Sequence, residues 1–139
     1  MQTFVPMGDD LAANAKVLDR QRLGKQRVEG LQIMHAITGR KSGWKNHPIV
    51  KMWDGYELAL LEYIVAMCDE WTSRGYKDTC RAKAHEAVLT IRKPLVMPEW
   101  LSDPEVAVSH KSNLIRKLPE HYGVLWPGVP DDLPYKWVI

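Results

Sequence analysis

Apolar residues along this chain recur mostly at intervals of three and four, the repeat of a helix, and no alternating run of more than a few residues marks a strand. Asp9 or Asp10 is placed to cap a first helix that the pattern carries to about Thr38, with Gly39 to stop it and Gly24 as a point to bend. A loop over 40–47 follows, and Pro48 opens a second helix that ends at Arg74-Gly75. Trp53, Tyr56, Leu60, Ile64, Met67 and Trp71 form one stripe along it and read as core. Asp78 or Thr79 starts a third helix that should reach about Ile91, before Pro94. Ser102 or Asp103 with Pro104 starts a fourth, whose body is 106–117. From Pro119 the chain is rich in Pro, Gly and aromatics (Tyr122, Trp126, Tyr135, Trp137), and it reads as irregular structure wrapping the surface. The expected fold is all-α, one compact domain over 1–139 with an irregular C-terminal tail.

One stripe departs from an ordinary core. Asp19, Leu23, Gln26, Gly30, Ile33 and Ile37 share a helical face, and burying an aspartate and a glutamine costs free energy unless both are paired. The stripe beside it is Arg22, Lys25, Glu29 and Gln32. An inward edge of acid, amide and base reads as the lining of a site. A solvated face carrying i,i+4 ion pairs is the plainer account of the same residues.

At 139 residues the chain can bury a core without metal or disulfide support. Six tryptophans against one phenylalanine supply side chains suited both to cores and to base stacking. Cys68 and Cys80 have neither zinc nor redox spacing and read as reduced thiols of a cytoplasmic protein. No stretch approaches a membrane span, and the start lacks a signal-peptide pattern. The formal net charge of +2 is unevenly spread. Residues 1–50 hold eight Lys/Arg against four Asp/Glu, residues 51–106 seven against ten, and residues 107–139 four against three. If the two ends fold together, they present the positive face that a polyanion would meet.

Four clusters can carry chemistry. Lys16, Arg20, Arg22, Lys25 and Arg27 crowd the first helix beside Asp19, Gln26 and Glu29. Gly43-Trp44-Lys45-Asn46-His47-Pro48 feeds a helix N-terminus, where backbone N–H groups favour an anion; a hydrated turn explains it as well. Ser109-His110-Lys111-Ser112-Asn113, with Arg116 one turn on, gathers groups that phosphate contacts use. Met1-Gln2-Thr3-Phe4, with Val5, is apolar enough to tuck into the fold. The five histidines are scattered, and there is no Gly-rich phosphate loop or Ser nucleophile elbow, so neither metal nor cofactor is expected. An acid, an amine and several cations suit attack at an activated carbon beside a phosphate backbone.

The runs Leu18-Asp19-Arg20-Gln21-Arg22-Leu23-Gly24-Lys25-Gln26-Arg27-Val28-Glu29, Gly43-Trp44-Lys45-Asn46-His47-Pro48 and Met52-Trp53-Asp54-Gly55-Tyr56 resemble the pyrimidine-dimer DNA glycosylase family, typified by the phage endonuclease V type of repair enzyme. So does Ser109 to Lys117 followed by Pro119 and Tyr122, and the likeness spans most of residues 3–126. The resemblance implies a mainly helical domain that binds double-stranded DNA as a monomer, flips a nucleotide and cleaves its glycosidic bond. In the phage prototype of that family the attacking group is the N-terminal α-amine, helped by a glutamate on the first helix. Here Gln2 follows Met1, a pairing that normally retains the methionine, so the nucleophile is the Met1 amine, Lys25 or water. The acid is Asp19 or Glu29, and Asp19 is slightly favoured as nearer the N-terminal arm. DNA contacts are expected from Arg20, Arg22, Gln26, Arg27, Trp44, Lys45, Asn46, His47, His110, Lys111, Ser112, Asn113 and Arg116, with Trp44 as a stacking or wedge group. The expected activity is excision of a damaged or modified base, with or without abasic-site lyase activity. A non-catalytic DNA-binding module of the same fold and a helical protein-interaction domain are the alternatives.

Overall fold

A computed structural model describes residues 1–40 and 43–139; of the loop expected over 40–47, Lys41 and Ser42 lie outside the described residues. The described residues form α-helices α1 (Leu11–Val17), α2 (Arg20–Ile37), α3 (Pro48–Trp53), α4 (Glu57–Ser73), α5 (Cys80–Ala87), α6 (Pro104–Lys117) and α7 (Pro119–Leu125), with a 3-10 turn at Glu99–Ser102. The all-α expectation holds.

Its boundaries need correction. The first expected helix is two helices, because Leu18 is extended. Arg74 donates to the carbonyls of Ala15, Lys16 and Leu18 at 3.4, 3.2 and 2.8 Å, satisfying the end of α1 so that a second helix can start at a new angle. Asp10, rather than Asp9, caps α1 by accepting from the Ala13 N–H at 3.1 Å. Gly24 stands inside the uninterrupted α2; it is there for packing, since a Cβ would lie 3.0 Å from the Trp71 ring.

The second expected helix also divides, at Asp54 and Gly55, where Gly55 takes φ +88°, a conformation that favours glycine. Trp53, Leu60, Ile64 and Met67 of the predicted stripe are fully buried, while Tyr56 and Trp71 are half-buried. α5 ends at Ala87, short of Ile91, and its start is satisfied by Asp78, which accepts from Cys80 and Arg81 N–H at 3.2 and 2.9 Å. Of the two expected starts, Ser102 and Asp103, it is Asp103 that caps α6. The tail is less irregular than expected: Pro119, at a first-turn position that needs no N–H, begins α7, and burial of Tyr122 holds that helix down.

α2 packs across α4, α5 and α3, and α1 lies against α4. The approach of α2 to α4 is close at Gly30, where a Cβ would stand 2.8 Å from Ile64 Cγ1. Residues 2–5 thread into the core as non-helical chain, with Gln2, Thr3, Phe4 and Val5 all buried. Cys68 and Cys80 are free thiols and buried, and burial pushes both up from their ordinary pKa. Among the described residues no helix is long and apolar enough to cross a membrane.

Candidate active site

A buried arm with no helix or strand to pair with must find partners for its backbone among side chains. Phe4 N–H donates to Gln26 Oε1 at 2.8 Å, and Val5 N–H to His110 Nδ1 at 2.9 Å. The Gln2 carbonyl accepts from Gln26 Nε2 at 3.0 Å, and the Phe4 carbonyl from the Tyr63 hydroxyl at 2.9 Å. Thr3 Oγ1 accepts from Trp53 Nε1 at 3.0 Å. Gln26, buried on the α2 face, is therefore a socket of the arm, together with Tyr63, His110 and Trp53 from other helices. Gln26, expected to contact DNA, is instead buried, since every polar end of its amide is taken by protein.

The arm delivers Met1 to a cavity of about 290 Å³. Gln21, Arg22, Lys25 and Glu29 of α2 line it, with Lys117 from the end of α6 and Tyr135 from the tail; Gln2, Phe4 and Gln26 complete the wall. Glu29 Oε2 accepts from the Gln2 N–H at 3.3 Å and from Gln26 Nε2 at 3.2 Å. The cavity thus holds one carboxylate among the Arg22, Lys25 and Lys117 cations and beside Met1. It stands at the small end of ligand pockets.

His47 belongs to the same neighbourhood. Its Nδ1 accepts from the Ile49 N–H at 3.1 Å, capping α3, and its ring meets Trp44 and Trp137 edge-on at 6.0 and 5.7 Å. Burial lowers the His47 pKa and the charge of the N-terminal amine lowers it further, while Glu29 opposes both. The His47 imidazole therefore feels the charges of both the Met1 amine and Glu29. Burial pushes the Tyr135 phenol up to about 12, with Arg22, Arg116 and Glu29 also acting on it.

Asp19, favoured on sequence as the acid, does not line this cavity. Its carboxylate accepts from the Tyr122 hydroxyl and from Arg22 Nη1, the latter at 3.1 Å, and its own N–H donates to Tyr122 Oη at 2.9 Å. Burial works to raise its pKa, but the Tyr122 hydrogen bond and the Arg22 guanidinium outweigh that and hold it below the usual carboxylate range. Asp19 ties α7 to the start of α2 and orients Arg22 towards the cavity it lines.

Two sets of expected DNA contacts are corrected. Arg27 pairs with Asp78 and lies 4.4 Å over the Trp71 ring, with 13% of its side chain exposed, so it is spent on the α2, α4 and α5 packing. His110, Ser109, Ser112 and Asn113 are buried. Ser112 Oγ accepts from Leu133 N–H at 2.9 Å, Ser109 Oγ from Lys136 N–H at 3.2 Å, and Asn113 Nδ2 donates to the Leu133 carbonyl at 3.1 Å. Arg116 donates to the carbonyls of Asp131 and Leu133. This cluster fastens the tail, whose backbone has no other regular partner. Lys111 stands 5.6 Å over the Trp126 ring. Arg20, Lys25, Trp44, Lys45 and Asn46 are exposed, as a contact surface requires.

Lys117 and Tyr135 line the cavity without having been singled out as site residues. Lys117 adjoined a basic cluster and could have been found. Tyr135 carried no periodic signal, because only the folded path of the tail brings it there. Among the described residues no group of three or more His, Cys, Asp or Glu is placed to hold a metal ion.

No curated protein and no solved structure matches the chain. The family model described as pyrimidine dimer DNA glycosylase matches residues 1–84, which span the buried arm, α1 to α4 and the first half of α5, and the chain belongs to that family.

Proposed function

We propose that this protein is a DNA glycosylase with abasic-site lyase activity, acting on a damaged or modified base; pyrimidine dimers are the class its family description names. The observation that carries this reading is the convergence of Met1 and Glu29 on one cation-lined cavity. In the proposed reaction a flipped nucleotide brings C1′ to the Met1 amine. The amine attacks, the C1′–N bond breaks, and its electron pair leaves on the base. The Glu29 carboxylate stabilises positive charge building on the sugar, then accepts the amine's proton once the bond from the Met1 nitrogen to C1′ has formed, and hands it to O4′ as the ring opens. Ring opening then gives a Schiff base between the amine and C1′. From it, loss of a C2′ proton and departure of the 3′ phosphate would cut the strand.

Arg22, Lys25 and Lys117 would hold phosphates flanking the flipped nucleotide, and Arg20, Lys45 and Asn46 would extend that surface. Trp44, 43% exposed and edge-on to His47, is the proposed stacking group for the gap left in the duplex. Glu29 replaces Asp19 as the proposed acid, because Glu29 lines the cavity.

Borohydride reduction tests this on two duplexes, one with an abasic site and one with a thymine dimer. A covalent adduct that maps to the Met1 peptide is expected on both. An adduct at Lys25 would move the nucleophile to that residue, and base release without any adduct would make water the attacker. DNA binding with neither product would leave a non-catalytic module.

A further inference from the structure

The side chain that joins the N-terminal arm to the acid is Gln26, which is 1% exposed. Its orientation is fixed by its partners. The Phe4 N–H can only donate and the Gln2 carbonyl can only accept, so Oε1 must face Phe4 and Nε2 must face Gln2. Oε1 accepts from Phe4 at 2.8 Å and, at 2.5 Å, shares the single Tyr63 hydroxyl proton with the Phe4 carbonyl. Nε2 donates to the Gln2 carbonyl at 3.0 Å and to Glu29 Oε2 at 3.2 Å. One amide therefore uses both donors and two acceptor positions, and each half does a different job. The oxygen pins the arm at Phe4. The nitrogen bridges the arm at Gln2 to the carboxylate of Glu29.

We propose that Gln26 is a positioning residue of the reaction: its buried amide sets the Met1 end of the arm at a fixed place relative to the Glu29 carboxylate. The inference rests on the reading of the Met1 amine and Glu29 as the reacting pair. A nucleophile at a chain end is the hardest kind to hold, because termini are poorly ordered unless something ties them down. Here the tie and the acid share a donor, so amine and carboxylate move together. A misplacement of about 1 Å between reacting groups is enough to cost roughly a hundredfold in rate.

Two substitutions separate this from a role in folding alone. Gln26→Glu keeps Oε1 with both of its donors and puts an acceptor where Nε2 faced two acceptors. Gln26→Met keeps length and bulk and removes every hydrogen bond. Three quantities are measured for each: the single-turnover rate and dissociation constant on an abasic-site duplex, thermal melting, and amide hydrogen exchange at Gln2 and Phe4. For Gln26→Glu the expected result is a rate roughly a hundredfold lower, a dissociation constant within about fivefold of the parent, a protected Phe4 amide and faster exchange at Gln2. For Gln26→Met both amides should exchange faster, with at least the same loss of rate. A folded variant of either kind that turns over at the parent rate overturns the proposal, whatever its melting temperature. If the parent protein itself neither reacts nor is trapped, the glycosylase reading fails. Exchange then decides the positioning role by itself, and an unchanged Gln2 amide in Gln26→Glu overturns it.

Discussion

Val5 N–H donates to Nδ1 of His110 at 2.9 Å, across 105 residues of chain, and this bond joins the arm to α6. The ring is 1% exposed, and burial lowers its pKa from 6.5 to about 3. Protonation at Nδ1 would abolish the bond to Val5 and charge a ring enclosed by Phe4 and Tyr135. The unfolded chain therefore binds a proton that the folded chain refuses between about pH 6.5 and 3. Stability is full above that window and falls through it, by about 1.4 kcal/mol per pH unit for one site. His35 and His47, also lowered, add to the slope with the same sign. His110→Asn, which keeps an acceptor for Val5, should melt lower at pH 7 but show a flatter decline between pH 6.5 and 4.5. An unaltered slope in urea titrations across that range would show that His110 is not the group responsible.

Glu29→Gln and Asp19→Asn should part company. Glu29→Gln is expected to lose about two to four orders of magnitude in single-turnover rate while still binding duplex DNA. Asp19→Asn should act through stability and through Arg22, with a loss of about 1–3 kcal/mol from the disturbed Tyr122 and Arg22 bonds and a rate within roughly tenfold. Rapid-quench kinetics and thermal melting on both variants decide it, and a reversed order of rates would return the acid to Asp19.

Salt dependence distinguishes cations that meet phosphate from cations that hold the fold. Neutralising Lys25 or Lys45 should each lower the slope of log affinity against log salt by about one if each meets a phosphate. Arg27→Gln should leave that slope alone and lower the melting temperature, since Arg27 is engaged by Asp78 and Trp71. Binding isotherms at four salt concentrations would show whether the assignments are exchanged.

Gly30→Ala should destabilise the protein although alanine is the better helix former. The added Cβ would stand 2.8 Å from Ile64 Cγ1, and overpacking of about 1–3 kcal/mol outweighs a propensity gain of about 1 kcal/mol. In an Ile64→Ala background the same change should become neutral or stabilising. A double-mutant cycle by chemical denaturation checks this, and additive effects would rule out the contact as the cause.

The sequence by itself determined that this chain is helical, where α6 begins, and that α2 carries polar residues inward at Gln26, because helical periodicity and Asp-Pro starts are local properties. It also carried the family likeness in α2, the turn before α3 and the end of α3. Three boundaries escaped it, among them the division between α3 and α4 at Asp54 and Gly55. The one between α1 and α2 depends on Arg74 reaching the carbonyls of Ala15, Lys16 and Leu18 from the end of α4. The start of α7 leans on burial of Tyr122 against distant chain. Which of the two acids lines the cavity was likewise tertiary. Asp19 and Glu29 are ten positions apart on the stretch that forms α2 and its cap, and periodicity placed Asp19 on the inward face. Tyr122 claims Asp19, while the arm, through Gln2 and with the neighbouring Gln26, holds Glu29 at the cavity, and neither Tyr122 nor the arm is near its acid in sequence. The apparent phosphate cluster on α6 turned inward for the same reason: its hydroxyl, amide and imidazole groups satisfy an arm and a tail that have no helix or strand to satisfy them.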